Sequence, residues 1–172
     1  TRLIDMGIEP YLVSSSVQAF VAQRLVRLIC PHCKEEDKNV LVGVKEEMAH
    51  ALCLKSIDDV KIYHGKGCDY CHQTGFYGRM AIYEILLLND IIRTAILEKP
   101  RADHIKKIAV KEGLVTLRQN GWKAVCDGLT TPHEVMNVTE KDISLEEGTV
   151  IAKHTRFGQD SLMGKDAFPT TN

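Results

Sequence analysis

The sequence predicts an α+β fold: a β-hairpin interrupted by a cysteine-bearing insertion, followed by a small helical bundle. Three observations predict it. Two strand-like apolar runs, 20–29 and 79–88, stand far apart in the chain and are able to pair. Cys30-Pro31-His32-Cys33 directly follows the first run, and Cys68-Asp69-Tyr70-Cys71 stands just before the second. Beyond Leu88, capped patterns of helical period follow one another.

Taken in order, residues 2–6 read as the end of a helix, stopped at Gly7 and redirected at Pro10. Ser15 is placed as the cap of a second helix, with Gln18 three residues on to complete a capping box. The run 20–29 follows, and its later half reads as strand. Inside the insertion, 45–55 favours a short helix with Met48, Leu52 and Cys53 inward. Val60-Lys61-Ile62-Tyr63 suits a small strand leading to the second cysteine pair. After Gly75 and Gly78, the run 79–88 is mostly apolar, which predicts a strand buried on both faces. Asn89 caps a helix burying Ile92, Ala95 and Ile96 that ends before Pro100. Asp103 begins another, with Ile105, Ile108 and Ala109 inward and Gly113 as its stop. Thr116 caps a third, which presents Leu117, Gly121, Ala124 and Val125 and ends at Gly128. Thr131-Pro132-His133-Glu134 supplies a cap, a proline at the first position and a glutamate at the third. That helix is expected to bury Val135, Met136 and Val138. Beyond about residue 141, Gly148, Gly158, Gly164 and Pro169 interrupt the pattern, which predicts a loosely ordered tail over 141–172.

Cys30, Cys33, Cys68 and Cys71 form two C-x-x-C pairs separated by residues 34–67. Two residues between thiols let one tight turn aim both sulfurs at one ion, and two such turns complete a tetrahedron. The set therefore reads as a four-thiolate Zn2+ site, closed and structural, with no position for substrate water. The competing readings are two disulfides or four unrelated buried cysteines. The gap exceeds the roughly 15–20 residues of the commonest compact zinc pattern, so it must hold structure of its own. His32 and His72 flank the pairs and read as solvent-facing turn residues, since four thiolates already fill the shell. Cys53 and Cys126 read as small buried hydrophobes.

Bulk properties set the remaining limits. The 172 residues suit one domain or two small ones, and a formal net charge of −1 offers no bulk attraction for nucleic acid or an anionic membrane. No run of 18 apolar residues occurs, which excludes a membrane-spanning helix. Six cysteines without a signal-peptide pattern fit a reducing cytoplasm. Thr1 is no initiator, and the first residues read as mid-helix, so the chain is expected to be a fragment of a longer protein.

Several stretches together closely resemble the type II secretion and type IV pilus assembly ATPases. They are Arg2-Leu-Ile-Asp-Met-Gly-Ile-Glu-Pro-Tyr-Leu-Val-Ser-Ser-Ser16, Ala22-Gln-Arg-Leu-Val-Arg-Leu-Ile-Cys-Pro-His-Cys33, Gly65-Lys-Gly-Cys-Asp-Tyr-Cys-His-Gln-Thr-Gly-Phe-Tyr-Gly-Arg79, Ile82-Tyr-Glu-Ile-Leu86 and Thr116-Leu-Arg-Gln-Asn-Gly121. The likeness covers about residues 1–140 in the correct order. It implies a hexameric cytoplasmic motor, peripheral at the bacterial inner membrane, whose partners are neighbouring ring subunits and inner-membrane platform proteins. Residues 1–29 would then be the end of a RecA-like ATPase domain, 30–78 the tetracysteine zinc insertion, and 79–140 the returning strand and C-terminal helices. Retraction-type relatives lack the insertion, so the resemblance implies assembly or secretion.

The P-loop form G-x-x-x-x-G-K-[ST] appears nowhere in the sequence. Gly158 to Lys165 is the nearest string, but it has one residue too many between its glycines and lacks the Ser/Thr. In the family that the chain resembles, the elements holding ATP and Mg2+ lie N-terminal to this stretch. The stretch alone is therefore expected to have no ATPase activity. A free-standing zinc adaptor for protein or nucleic acid is the alternative. The glycine-bearing string 71–78 also resembles the cysteine repeats of J-domain co-chaperones, but only one repeat occurs. Gly65-Lys66-Gly67 reads as the turn feeding Cys68, because no helix follows it to cradle phosphate. In a ring ATPase of the kind the chain resembles, Arg24, Arg27 and Arg79 could reach a neighbouring subunit's nucleotide, and they read equally as partners of a local carboxylate such as Glu84. Trp122 and Tyr83 read as packing anchors, and Lys106, Lys107 and Lys111 as a solvated helix face.

Overall fold

The computed structural model describes residues 2–54, 60–98 and 101–142. Two short helices, α1 (Arg2–Asp5) and α2 (Pro10–Ser16), precede strand β1 (Ala19–Ile29). The insertion carries β2 (Lys34–Glu36), α3 (Val42–Ala51) and β3 (Tyr63–Gly65), and the chain returns through β4 (Phe76–Leu87). Four helices complete the fold: α4 (Asp90–Glu98), α5 (Ala102–Lys111), α6 (Leu117–Cys126) and α7 (Pro132–Val138).

Strands β1 and β4 pair antiparallel from Ala19↔Leu87 to Arg27↔Arg79, as the two flanking apolar runs predict. A bulge lies between Arg27 and Ile29, and Gly78 opposite it takes a φ of +78°, open to glycine at no steric cost. Within the insertion β2 pairs antiparallel with β3, from Lys34↔Gly65 to Glu36↔Tyr63. The cysteine-bearing segment thus grows from the tip of a hairpin.

The insertion does not stand free. Met48 of α3, with Val60 and Ile62, shares one core with Trp122, Val125 and Val135 of α6 and α7. Gly121 allows α6 and α7 to approach so closely that a Cβ there would lie 2.5 Å from Val135 Cγ1. Gln119 Nε2 donates to the Ala51 carbonyl at 3.2 Å, tying α3 to α6. A second core joins Leu88, just after β4, to Ile92 and Ile96 of α4 and Ala109 of α5, as the helical period over α4 and α5 predicts. Buried Arg118 reaches from α6 to the end of α7. Its Nε donates to the Glu140 carbonyl and its Nη2 to the Thr139 carbonyl, both at 3.2 Å. Cations suit this place, where helical carbonyls run out of donors.

Several expectations are corrected. Ser15 is no cap: α2 begins at Pro10 and ends at Ser16, and the Ser15 hydroxyl turns back to the Leu12 carbonyl. Pro10 supplies the helical φ earlier, and the β1 ladder claims the chain from Ala19. Strand β4 is not buried on both faces. Ile82 is fully buried, while Tyr83, Ile85 and Leu87 are exposed, because helices cover a single side. Tyr83 is therefore no packing anchor, whereas Trp122 is fully buried. Cys53 is exposed in a left-handed turn with φ +52°, and Leu52 is only partly buried. The small strand falls at Tyr63–Gly65 instead of 60–63, since Val60 and Ile62 serve the core. Met136 is exposed, because the short α7 turns only one face inward and Val135 occupies it. The tail 143–172 lies outside the described residues.

Candidate metal centre

The two cysteine pairs are shaped by turns that their sequences favour. Cys33 N–H closes on the Cys30 carbonyl at 3.4 Å, and Cys71 N–H on the Cys68 carbonyl at 3.2 Å. After the second pair, His72, Gln73 and Gly75 all take positive φ, at 52°, 62° and 75°. Gln73 Nε2 braces this reversal by donating to Asp69 Oδ1 at 2.9 Å. Cys30 N–H then donates to the Gly75 carbonyl and Lys66 N–H to the Cys33 carbonyl, stitching one turn to the other. Gly65 and Gly75 cross back to back, and a Cβ at Gly65 would overlap the Gly75 backbone. Glycine is required at this crossing.

The turns gather all four thiols, whose sulfurs lie within 4.8 Å of one another. Cys30 to Cys68 and Cys33 to Cys71 are each 3.9 Å, and Cys68 to Cys71 is 3.7 Å. A sulfur tetrahedron around an ion at about 2.3 Å has edges of about 3.8 Å. A disulfide requires about 2.05 Å, and all four cysteines are free. Cys30 and Cys71 are buried, and Cys33 and Cys68 partly so.

Backbone amides point at the sulfurs in the manner of groups that steady thiolates. Gly67 N–H donates to Cys33 Sγ at 3.3 Å, Cys68 N–H to Cys71 Sγ at 3.3 Å, and Gly75 N–H to Cys71 Sγ at 3.2 Å. Their effect is uneven. Desolvation pushes the Cys33 thiol up to about 12, outweighing the Gly67 amide. Burial acts the same way on Cys71, but the Cys68 and Gly75 amides and the neighbouring thiols overcome it and bring Cys71 down to about 6. The amides thus favour the thiolate form at Cys71 more than at Cys33. The donor set, its spacing and its burial fit a soft divalent ion held without an open position.

The other candidate residues fall elsewhere. His32 and His72 are exposed, and neither belongs to the sulfur cluster. His32 instead stacks on Tyr70 at 4.1 Å between ring centres, and Tyr70 on Tyr77 at 4.6 Å. Cys126 is partly buried against the first core, and desolvation followed by Asp127 raises its thiol. Arg24 is exposed and donates to the Gln23 carbonyl. Arg27 pairs with Glu134, at 2.7 Å between Nη2 and Oε1. Glu84 accepts from the Leu117 N–H at 3.1 Å, closing the start of α6. Lys107 and Lys111 are exposed, and Lys106 lies 3.7 Å from Asp142. Sequence reading missed the Arg27–Glu134 pair and the role of Arg118. The two members of that pair lie 107 residues apart, beyond any local pattern.

Comparison with known proteins agrees with the residues that carry the resemblance. The family model described as Type II/IV secretion system protein matches residues 1–137. The type IV pilus assembly ATPase PilB of Thermus thermophilus is 41% identical over 138 residues, covering 79% of this chain and 15% of that protein. Type II secretion system protein E of Pseudomonas aeruginosa is 37% identical over 147 residues, covering 83% of this chain and 27% of its own length. PilB of Myxococcus xanthus is 35% identical over 145 residues, covering 83% of this chain and 25% of that protein. The chain thus spans between about a seventh and a quarter of the length of these relatives. With the match running through the hairpin, the four cysteines and the C-terminal helices, the chain belongs to the Type II/IV secretion system protein family.

Proposed function

We propose that this chain is the zinc-bearing C-terminal part of a hexameric ATPase that powers type IV pilus assembly or type II protein secretion. The observation that carries the reading is four sulfurs at tetrahedral spacing in a chain of this family. Cys30, Cys33, Cys68 and Cys71 hold Zn2+ for structure, over an insertion of residues 30–78. Residues 1–29 complete a RecA-like domain, and 79–140 form the returning strand and its helices. Support for the RecA-like assignment comes from the side of the hairpin turned away from α6. There Val21, Ile85 and Leu87 are 62%, 52% and 64% exposed. An apolar groove of about 830 Å³, lined in part by Leu3, Ile4, Phe20 and Ile105, runs alongside. Apolar faces of this kind suit packing against further protein.

ATP and Mg2+ would be held by residues outside this chain, because the P-loop form is missing from its sequence. Neighbouring subunits of the ring and inner-membrane assembly proteins are the expected partners. No described helix is long and apolar enough to cross a membrane, so attachment to the inner membrane from the cytoplasm would run through those partners.

Metal analysis of the purified chain tests the site, with one zinc per chain expected. Cobalt substitution should give the spectrum of four-sulfur coordination, and a mixed nitrogen–sulfur spectrum would overturn the ligand set. In the full-length protein, Cys30→Ser should abolish pilus assembly or secretion, and undiminished activity would refute the need for the module. An intact P-loop encoded upstream of Thr1 would exclude the free-standing zinc adaptor.

A further inference from the structure

The first cysteine pair is bracketed by residues that reach the turn between α6 and α7 and the first turn of α7. One residue before Cys30, Ile29 N–H donates to the Leu129 carbonyl at 2.9 Å. Three residues before it, the Arg27 carbonyl accepts from the buried Thr130 hydroxyl at 2.7 Å. Arg27 N–H and Nε both donate to Glu134 Oε2, at 3.1 and 3.0 Å, and Nη2 reaches Oε1. One residue after Cys33, the Lys34 ammonium lies over the Tyr63 ring, and both close on Gly128. A Cβ at Gly128 would stand 2.6 Å from Lys34 Nζ and 2.9 Å from Tyr63 Cδ2. The turn at 128–134 therefore grips the base of the metal centre along the free edge of β1.

The far side of the insertion closes on the same helices. Met48, Val60 and Ile62 pack against Trp122, Val125 and Val135. By contrast, the backbone ties of the second cysteine pair run chiefly to the first pair and to its own turn. A metal ion would add a four-sulfur link to the β2–β3 ladder and the backbone bonds that join the two halves of the insertion, and the insertion supplies half of the core around Trp122. We propose that the turn at 128–134 latches the metal centre, so that metal retention and the packing of α6 and α7 form one linked equilibrium. Linkage makes the effect reciprocal: loosening the turn must weaken metal binding as metal loss loosens the helices. The inference rests on the metal reading above and adds positioning roles for Thr130 and Glu134, neither of which touches the ion.

The test uses the zinc-loaded 172-residue chain, a strong chelator and a chromogenic zinc indicator. Trp122 is the sole tryptophan and reports on the shared core. Zinc release and a red shift of Trp122 emission should proceed at one rate. Glu134→Gln and Thr130→Ala should weaken zinc retention by about tenfold to a hundredfold, the usual effect of removing an outer support of a metal site. Lys107→Ala, on the exposed face of α5, should change nothing. Native Trp122 emission after the zinc has left would overturn the latch, as would unchanged retention in both variants. Should a variant not fold, the wild-type chelation result decides alone. A chain that binds no zinc at all would instead refute the metal reading.

Discussion

Glu134 carries the clearest pH signature among individual side chains. Its hydrogen bonds with the Arg27 side chain hold its carboxyl below the usual carboxylate range, against the opposing effect of burial. A group with a depressed folded pKa stabilises the fold above its unfolded pKa, and that contribution is lost as pH falls through the folded value. The melting temperature of wild type should therefore exceed that of Glu134→Gln at neutral pH. The gap should shrink on acidification, and a gap constant from pH 7 to 3 would contradict the assignment. Thr116 offers a second test. Its hydroxyl oxygen accepts from the Gln119 N–H at 3.1 Å, and the hydroxyl donates to Asp142 Oδ2 at 2.7 Å. Thr116→Ala should cost about 0.5–2 kcal/mol in denaturant unfolding. The Thr116 cap was readable in the sequence because cap and partner lie three residues apart. The grip of Glu134 on Arg27 was not, since the local pattern assigned that carboxylate to its own helix start.

At the scale of elements, the hairpin with a cysteine module at its tip was recoverable from order alone. Two apolar runs flank the two pairs, and antiparallel pairing is the simplest closure. What the runs could not disclose was coverage. An apolar strand states that both faces favour burial, and here helices cover only one of them. Ser15 shows a related limit: a fitting cap residue yields when an upstream proline has already started the helix. The crossing of β3 with the segment before β4 makes its own prediction. Gly65→Ala would force a methyl group into the Gly75 backbone and part the two cysteine turns. Metal content of that variant should fall to a small fraction of wild type while α4 and α5, packed in the separate core, keep their helical signal. Full metal loading would show that the crossing yields without harm.

Across the molecule, two cores divide the labour. Leu88, Ile92, Ile96 and Ala109 stabilise the α4–α5 pair without help from the insertion. The Trp122 core is built jointly, so metal removal should lower the thermal stability of part of the chain more than the whole. Calorimetry of the zinc-free chain should show two transitions, of which the earlier one disappears on adding zinc. A single unshifted transition would contradict the division. The four cysteines that the fold gathers were legible in the sequence because tetrahedral chemistry writes a fixed local spacing. The sequence could not place the insertion on α6 and α7, because Met48 and Trp122 meet through tertiary packing with no short-range pattern between them.

The Arg118 contacts bear on where this fold can be shortened. Its guanidinium is buried, it donates to the carbonyls of Thr139 and Glu140 just past the last turn of α7, and the Glu47 carboxylate lies 3.8 Å from its Nε. Cutting the chain after Val138 would remove both carbonyl acceptors and leave the buried cation with the Glu47 carboxylate. A trimmed version should therefore keep Glu140 even though that residue lies at the surface, and Asp142 for its bond with Thr116.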